Sequence, residues 1–160
     1  MTAVTLNRHW PLLVFFILAV TGIGLVIGFI APTGDWFEAL AKPRFMAPEW
    51  FHRGAWLIVY VLLAIVGWRL WLIDSAAGAT RLWATIVILS WWFTPALFLM
   101  RSPPIALAVV ASLGLLMLAL ACLTWRFDRI SSLLLLPCIA AVLYAVGVTA
   151  AIVMLNGAAA

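Results

Sequence analysis

Charged residues are scarce in this sequence. Only 9% of its 160 residues are Asp, Glu, Lys or Arg, whereas 68% are hydrophobic. Soluble domains typically contain about 25% charged residues, so we expect an integral membrane protein that forms one domain over residues 1–160. The net charge of +4 comes from cations spread among the ends of apolar segments. Because no basic run occurs, a nucleic-acid partner is not expected.

The sequence also lacks the residue patterns of the common catalytic and metal sites. Its two cysteines, Cys122 and Cys138, lie in apolar segments, where they are expected to pack rather than to form a disulfide or bind a metal. His9 and His52 are far apart, and no Ser-His-Asp arrangement, zinc motif or phosphate-binding loop occurs. We therefore predict no catalytic residue and no protein-built metal site. No carboxylate lies within an apolar segment, which argues against an ion pump.

What the sequence does contain is five apolar runs of about twenty residues, each long enough to cross a hydrocarbon core of about 30 Å. They predict an all-α, multi-pass membrane protein, a bundle of five transmembrane helices. The predicted helices cover residues 11–31, 54–73, 82–100, 105–125 and 132–155. The first run exceeds the apolar region of a signal peptide and is interpreted as a transmembrane helix. Lys and Arg are divided almost equally between the two sides, so the orientation is left open.

Two of these runs contain further signals. Gly24 and Gly28 in the first have the GxxxG spacing, which allows close helix approach within the monomer or in a homodimer. The third contains Ser90, Trp92 and Pro95 near mid-depth. Proline removes a backbone hydrogen bond and kinks a helix, so this segment is either a pocket wall or a packing kink.

The segment between the first two helices, residues 32–53, is rich in aromatic residues and proline. Pro43 and Pro48 prevent a continuous helix. We expect an ordered loop at the membrane surface, with one helical turn near residues 35–40. Its large side chains suit the interfacial layer, so an interfacial anchor without a ligand is the alternative interpretation. These side chains are Trp36, Phe37, Phe45, Trp50 and Phe51.

A longer pattern runs through this loop and into the second helix. It reads Trp36-Phe37-x-x-Leu40-x-Lys42-Pro43, then Pro48-x-Trp50, then Trp56-x-x-x-Tyr60. This pattern resembles the TspO/MBR family of tryptophan-rich sensory proteins, which includes the mitochondrial translocator protein. The ten tryptophans and the five predicted spans agree with the resemblance.

The resemblance implies a five-helix bundle, often homodimeric, whose first loop caps an apolar pocket. The pocket would bind a tetrapyrrole, such as a porphyrin or haem, or another flat apolar molecule, with no obligatory cofactor. A receptor or sensor-regulator in a bacterial membrane is the leading expectation. A small carrier or exporter of such ligands and a ligand-free structural subunit are the alternatives.

Tryptophan faces would receive a flat ring system, and Lys42, Arg44 and Arg53 would meet its carboxylates. The candidate ligand-binding residues are Trp36, Lys42, Pro43, Trp50, His52, Trp56, Tyr60, Ser90, Trp92, Phe93, Ala141 and Ala145.

The sequence departs from the family pattern at several of these positions. Ala47, His52, Ser90, Phe93 and Ala141 replace a proline, an aromatic residue, an asparagine and two tryptophans, respectively. Porphyrin chemistry in the family is attributed to the tryptophan at position 141, so no enzymatic activity is predicted. Ala141 should leave an empty volume unless Trp91 or Trp92 fills it. His52 either ligates iron or replaces an interfacial aromatic residue.

Overall fold

The computed structural model describes residues 9–73 and 76–157, and these residues form helices joined by short turns and one longer loop. The helices are α1 (Trp10–Ile30), α2 (Asp35–Ala39), α3 (Glu49–Trp71), α4 (Ala77–Thr94), α5 (Pro103–Thr124) and α6 (Arg129–Asn156). A π-helical turn, Pro95–Leu99, continues α4. Helices α1, α3, α4 with its π-helical turn, α5 and α6 are each long and apolar enough to span a membrane. The predicted all-α bundle of five spans is therefore confirmed.

Two helices begin five residues earlier than predicted, and the other spans begin within three residues of the predicted positions. Helix α3 starts at Glu49 rather than near residue 54, so Trp50 and His52 belong to its first turns and not to the loop. Pro48 lies at its N-cap, where a missing N–H is harmless. An ion pair between Glu49 and Arg53 supports the first turn. Helix α4 starts at Ala77 rather than near residue 82.

The spans α3, α4, α5 and α6 enclose the core, and α1 packs against α3 and α4 from outside. Helix α6 contacts both α3 and α5, so it lies opposite α4 in the bundle. Core side chains from these four spans are almost fully buried and mostly aliphatic. They include Leu63, Ile86, Leu113, Met117 and Val142. The remaining apolar faces point outward, as expected for helices surrounded by lipid.

Glycine allows close approach at two helix contacts. A Cβ atom on Gly24 of α1 would lie 2.5 Å from the ring of Tyr60 in α3. A Cβ atom on Gly67 of α3 would lie 2.2 Å from the ring of Trp83 in α4. Gly28 has open space around its Cβ position. Half of the predicted GxxxG pattern therefore serves packing within the monomer.

The predicted irregularity at Pro95 is a π-helical turn. Here the Met100 N–H donates to the Pro95 carbonyl at 2.9 Å, a spacing of five residues. Such turns usually occur as short insertions within α-helices. The turn ends at Leu99. Arg101, just beyond it, has a positive φ of 49°, and α5 begins with Pro103 and Pro104. The segment brings Leu97 and Phe98 beneath the first loop.

At the opposite end of the bundle, Arg69 of α3 is held by Asp128 just before α6. Both guanidinium contacts to the carboxylate are short, at 2.7 and 3.0 Å. The Ser131 hydroxyl also donates to Asp128. Arg69 therefore lies in a largely buried ion pair and does not extend into the headgroup layer. The pair ties the end of α3 to the start of α6.

This pair predicts an acid sensitivity. Burial raises the pKa of Asp128, but hydrogen bonds from Arg69 and Ser131 outweigh it, so the pKa lies below its ordinary value. A carboxyl whose pKa is lower in the folded chain stabilises that chain above its unfolded pKa of about 3.9. This stabilisation is lost as the pH falls through the folded pKa. Thermal unfolding in detergent should show it as a falling midpoint below about pH 4.

The matched variants are Asp128→Asn and Glu38→Gln. Asp128→Asn should lower the free energy of unfolding by about 3 kcal/mol at neutral pH, because Arg69 loses its charged partner. The unfolding midpoint of this variant should then depend less on pH below about pH 4. Glu38 is mostly exposed, with 66% of its side-chain surface accessible, and its variant should retain the wild-type profile. If the unfolding midpoint falls with pH equally steeply in wild type and Asp128→Asn, the prediction is contradicted.

Candidate ligand-binding site

Two polar side chains of α6 fix the first loop over the end of the bundle. The Tyr144 hydroxyl donates to the Phe45 carbonyl at 3.1 Å and accepts from the Ala47 N–H at 2.7 Å. The Asn156 side chain donates to the Ala41 carbonyl and accepts from the Ala41 N–H, each at 3.0 Å. The loop is therefore an ordered part of the bundle.

Aromatic packing secures the first half of the loop. Phe37, in the short helix α2, is buried and meets Phe98 edge to face, with ring centroids 5.0 Å apart. Lys42 forms an ion pair with Glu38 at 2.6 Å, and its ammonium lies 5.1 Å from the centre of the Phe37 ring. The predicted helical turn near residues 35–40 is thereby confirmed as α2.

Two cavities adjoin the first loop, and the larger of these lies between α3, α6 and the loop and has a volume of about 420 Å³. Its walls are mostly apolar, and small residues of α3 and α6 form part of them. The lining residues are Phe45, Ala47, Phe51, His52, Ala55, Trp56, Val59, Ala140, Ala141, Val142 and Tyr144.

A second cavity, of about 300 Å³, lies directly under the loop and reaches the π-helical turn. Its mouth is more polar, because Lys42, Glu38 and Glu49 take part in it. Ala47 and His52 line both cavities. The imidazole of His52 therefore lies at the boundary between the larger and the smaller cavity.

The aromatic wall beside His52 is continuous. The Trp56 ring stacks on Phe93 with centroids 5.3 Å apart and an interplanar angle of 23°. The Trp56 indole N–H points to Nε2 of His52 at 3.4 Å, longer than the usual range for such bonds. The imidazole ring is 6.4 Å from that of Tyr144. Ring side chains of α3, α4 and α6 thus form one cluster around His52 and Trp56.

The structure brings about half of the sequence-predicted site residues to the cavities. Those in the walls are Lys42, Pro43, His52, Trp56, Phe93 and Ala141. Those outside the walls are Trp36, Trp50, Tyr60, Ser90, Trp92 and Ala145.

The exposure or the contacts of four of these residues explain why they lie outside the cavity walls. Trp50 and Trp92 are 74% and 54% exposed and face away from the bundle. The Ser90 hydroxyl donates to the Val87 carbonyl of its own helix at 2.7 Å. Tyr60 lies against Gly24 of α1. A tryptophan's presence in the motif therefore does not decide which face of its helix it occupies.

The volume expected beside Ala141 is present, and neither tryptophan of α4 fills it. Trp91 directs its indole N–H to the Val20 carbonyl of α1 at 3.3 Å, and Trp92 faces outward. Ala141 therefore lines an open cavity. The expectation that α4 rebuilds this wall with Trp91 or Trp92 is not met.

Two of the cations proposed to meet ligand carboxylates already have partners. Lys42 is paired with Glu38, and Arg53 with Glu49. Both pairs are at least partly exposed, where ion pairs contribute little stability. A ligand carboxylate would therefore compete with Glu38 or Glu49 for each cation.

Sequence reasoning missed the two α6 residues that hold the loop. Tyr144 and Asn156 are two of the few polar residues in the mostly apolar helix α6. A polar group within the membrane needs a hydrogen-bond partner. The presence of these two polar side chains in an apolar stretch could therefore have indicated a tertiary contact. The partner is irregular loop backbone, which the helical pattern does not identify.

The loop attachment leads to a proteolysis prediction. Tyr144→Phe removes the hydroxyl that bonds Phe45 and Ala47, and Asn156→Ala removes the amide that bonds Ala41. Each bond contributes about 1 kcal/mol, so either variant should open the loop several-fold more often and expose the Arg44–Phe45 bond to trypsin. The initial cleavage rate in detergent measures this effect.

Thr85→Val is the matched control, because the Thr85 hydroxyl donates only to the Arg81 carbonyl of its own helix. Its cleavage rate should equal that of the wild type. Unchanged rates in both loop variants would show that the loop is held by its apolar packing alone.

Comparison with known proteins agrees with this architecture. The sequence model of the TspO/MBR family matches residues 14–155. The chain belongs to the TspO/MBR family. The match includes most of α1 and α6, the three spans between them and the loop over the cavities, so the resemblance found in residues 36–60 extends along the bundle.

Individual relatives are similar over most of their length. The tryptophan-rich sensory protein of Cereibacter sphaeroides is 26% identical over 82% of this chain and 83% of its own. Protein CrtK of Rhodobacter capsulatus is 27% identical over 69% and 71%. The tryptophan-rich protein TspO of Archaeoglobus fulgidus is 29% identical over 90% and 96%. This TspO/MBR member is accordingly an integral membrane protein with relatives in bacteria and an archaeon.

Proposed function

We propose that this TspO/MBR protein is a membrane receptor or sensor-regulator that binds a tetrapyrrole, or a similarly flat apolar molecule, beneath its first loop. The observation that supports the proposal best is the pair of adjoining cavities that meet at His52 and Ala47. Their volumes fall within the usual range of small-molecule sites, about 300–1,000 Å³.

The chemistry of the walls favours a flat, mostly apolar ligand. Small side chains leave the larger cavity wide between α3 and α6, namely those of Ala55, Ala140 and Ala141. The stacked rings of Trp56 and Phe93 offer aromatic surface. Planar conjugated rings gain both apolar burial and aromatic contacts in such a site. The polar mouth of the smaller cavity suits a ligand with a few peripheral polar groups.

Sensing would follow from the way the loop is held. The residues that fix the loop, Tyr144 and Asn156, lie on α6, the same helix that provides Ala141 to the larger cavity wall. A ligand that enters between α3 and α6 would bias the position of α6 and of the attached loop. Such a bias requires different affinities for the two arrangements. The name sensory protein belongs to a relative and agrees with this role.

Absorption and fluorescence titration of the purified protein with metal-free protoporphyrin IX test the proposal. We expect a saturable Soret shift and quenching of tryptophan emission, because Trp56 lies in the wall. Trp56→Phe should lose part of the quenching and keep most of the affinity. Trp92→Phe is the control, since Trp92 faces outward. Absence of saturable binding would contradict the proposal.

A second measurement distinguishes a carrier from a receptor. Protein-dependent flux of the porphyrin across liposome membranes, at a rate above passive leak, would favour a carrier. Binding without flux would favour the receptor.

A further inference from the structure

We infer that His52 gives this protein a preference for the iron-containing tetrapyrrole, haem, by donating an axial nitrogen to the iron. The inference rests on the proposed function, because it assumes a tetrapyrrole in the larger cavity. It adds a residue that selects between the metal-containing and metal-free forms of that ligand.

Position is the first argument. His52 lines both cavities, so its ring is available from either one. It is the fourth residue of α3, and its position on the helix fixes the direction of its Cβ atom toward the cavities. The ring is half-buried and packs near Tyr144. An imidazole fixed on a helix at the boundary of an apolar cavity is the usual way a protein presents an axial ligand to haem.

The second argument concerns which side chains of the cavity walls could bind iron. Tyr144 uses its hydroxyl to hold Phe45 and Ala47, and Lys42 is paired with Glu38. Apart from His52, the soft donor in the walls is the thioether of Met46, which lines the smaller cavity only. In the larger cavity, His52 is the side chain suited to bind iron.

A single protein ligand is sufficient for this ligand class. Among the described residues no group of three metal-binding side chains occurs, so a bare metal ion has no site there. The macrocycle, however, supplies four nitrogens of its own, and the protein needs to add only one. A lone histidine therefore discriminates haem from metal-free porphyrin, although it could not bind free iron.

The hydrogen bonding of the ring is compatible with ligation. Nε2 lies 3.4 Å from the Trp56 indole N–H, a long and weak contact, and in the tautomer with its proton on Nδ1 this nitrogen carries a free lone pair. Donating that lone pair to iron breaks only this weak hydrogen bond, and Trp56 keeps its stacking on Phe93. A neutral imidazole is the form that ligates metals.

The test compares the affinities of ferric haem and metal-free protoporphyrin IX in wild type, His52→Phe and His52→Ala. Wild-type haem should show a spectrum of histidine-ligated iron, in absorption and electron paramagnetic resonance. His52→Phe should weaken haem binding by about tenfold and leave protoporphyrin IX binding unchanged. Added imidazole should restore the iron spectrum in His52→Ala, which a purely structural role of His52 would not allow.

His9→Phe is the matched control, because His9 lies just before α1 and lines neither cavity; it should leave the iron spectrum unchanged. The inference is overturned if both ligands bind and the ratio of their affinities is the same in wild type and His52→Phe, or if Met46→Leu, which removes the other candidate donor, abolishes the iron spectrum instead. In either case the proposed tetrapyrrole site would stand. If neither ligand binds the wild type, the proposed function fails, and the inference fails with it.

Discussion

Gly67→Ala is expected to destabilise the bundle by about 1–3 kcal/mol, the usual cost of overpacking a filled interface. The added Cβ would lie 2.2 and 2.3 Å from two atoms of the Trp83 ring. That ring cannot easily move aside, because its indole N–H donates to the Leu63 carbonyl of α3 at 2.7 Å. The substitution therefore separates α3 from α4 or breaks this hydrogen bond.

Gly54→Ala is the matched control on the same helix. Nothing lies within 4 Å of the Cβ position of Gly54, and alanine is the better helix former by about 1 kcal/mol. Unfolding in mixed detergent micelles should therefore show Gly54→Ala as neutral or slightly stabilising, and Gly67→Ala as clearly destabilising. Equal unfolding midpoints for the two variants would contradict the close contact between α3 and α4.

Filling the larger cavity is expected to have the largest effect on ligand binding. The double variant Ala55→Leu/Ala141→Leu adds side-chain volume from both α3 and α6, whose residues face each other across the cavity. Leucine is chosen because it offers no aromatic surface that could replace a lost contact. Protoporphyrin IX binding should fall by at least about tenfold, the equivalent of 1.4 kcal/mol, while the fold is retained.

The control is Ala108→Leu/Ala119→Leu, two exposed positions on α5 that lie outside both cavities. Its affinity should equal that of the wild type, and both double variants should show the same helical circular dichroism. Undiminished binding in Ala55→Leu/Ala141→Leu would place the ligand elsewhere in the protein.

The contrast between Trp56 and Trp92 shows how far the motif predicts the site. Both were proposed for the pocket, and both lie in helices rich in aromatic residues. Trp56 stacks on Phe93 and lines a cavity, whereas Trp92 is the neighbour of Phe93 and faces outward. Successive residues of a helix point about 100° apart, so Phe93 and Trp92 cannot both face the same cavity. In a sequence that is apolar all round, periodicity does not tell which face is inward.

The sequence by itself determined the membrane class, the number of spans and the family. Each depends on local properties, namely the length and polarity of apolar runs and the spacing of Trp56, Tyr60 and their neighbours. The boundary errors at Glu49 and Ala77 arose because helices continue into polar interfacial residues, which hydropathy alone counts as loop.

Only the tertiary structure decided where the cavities lie and which side chains reach them. Tyr144 and Asn156 meet the loop across separations of about a hundred residues, and the Asp128 carboxylate finds Arg69 across the bundle. These partners are set by how α6 packs against α3. Many pairings of apolar helices bury similar areas, so composition alone does not select among them. Specific contacts, such as Gly67 against Trp83, select one arrangement and leave the space beside Ala141 and His52 open.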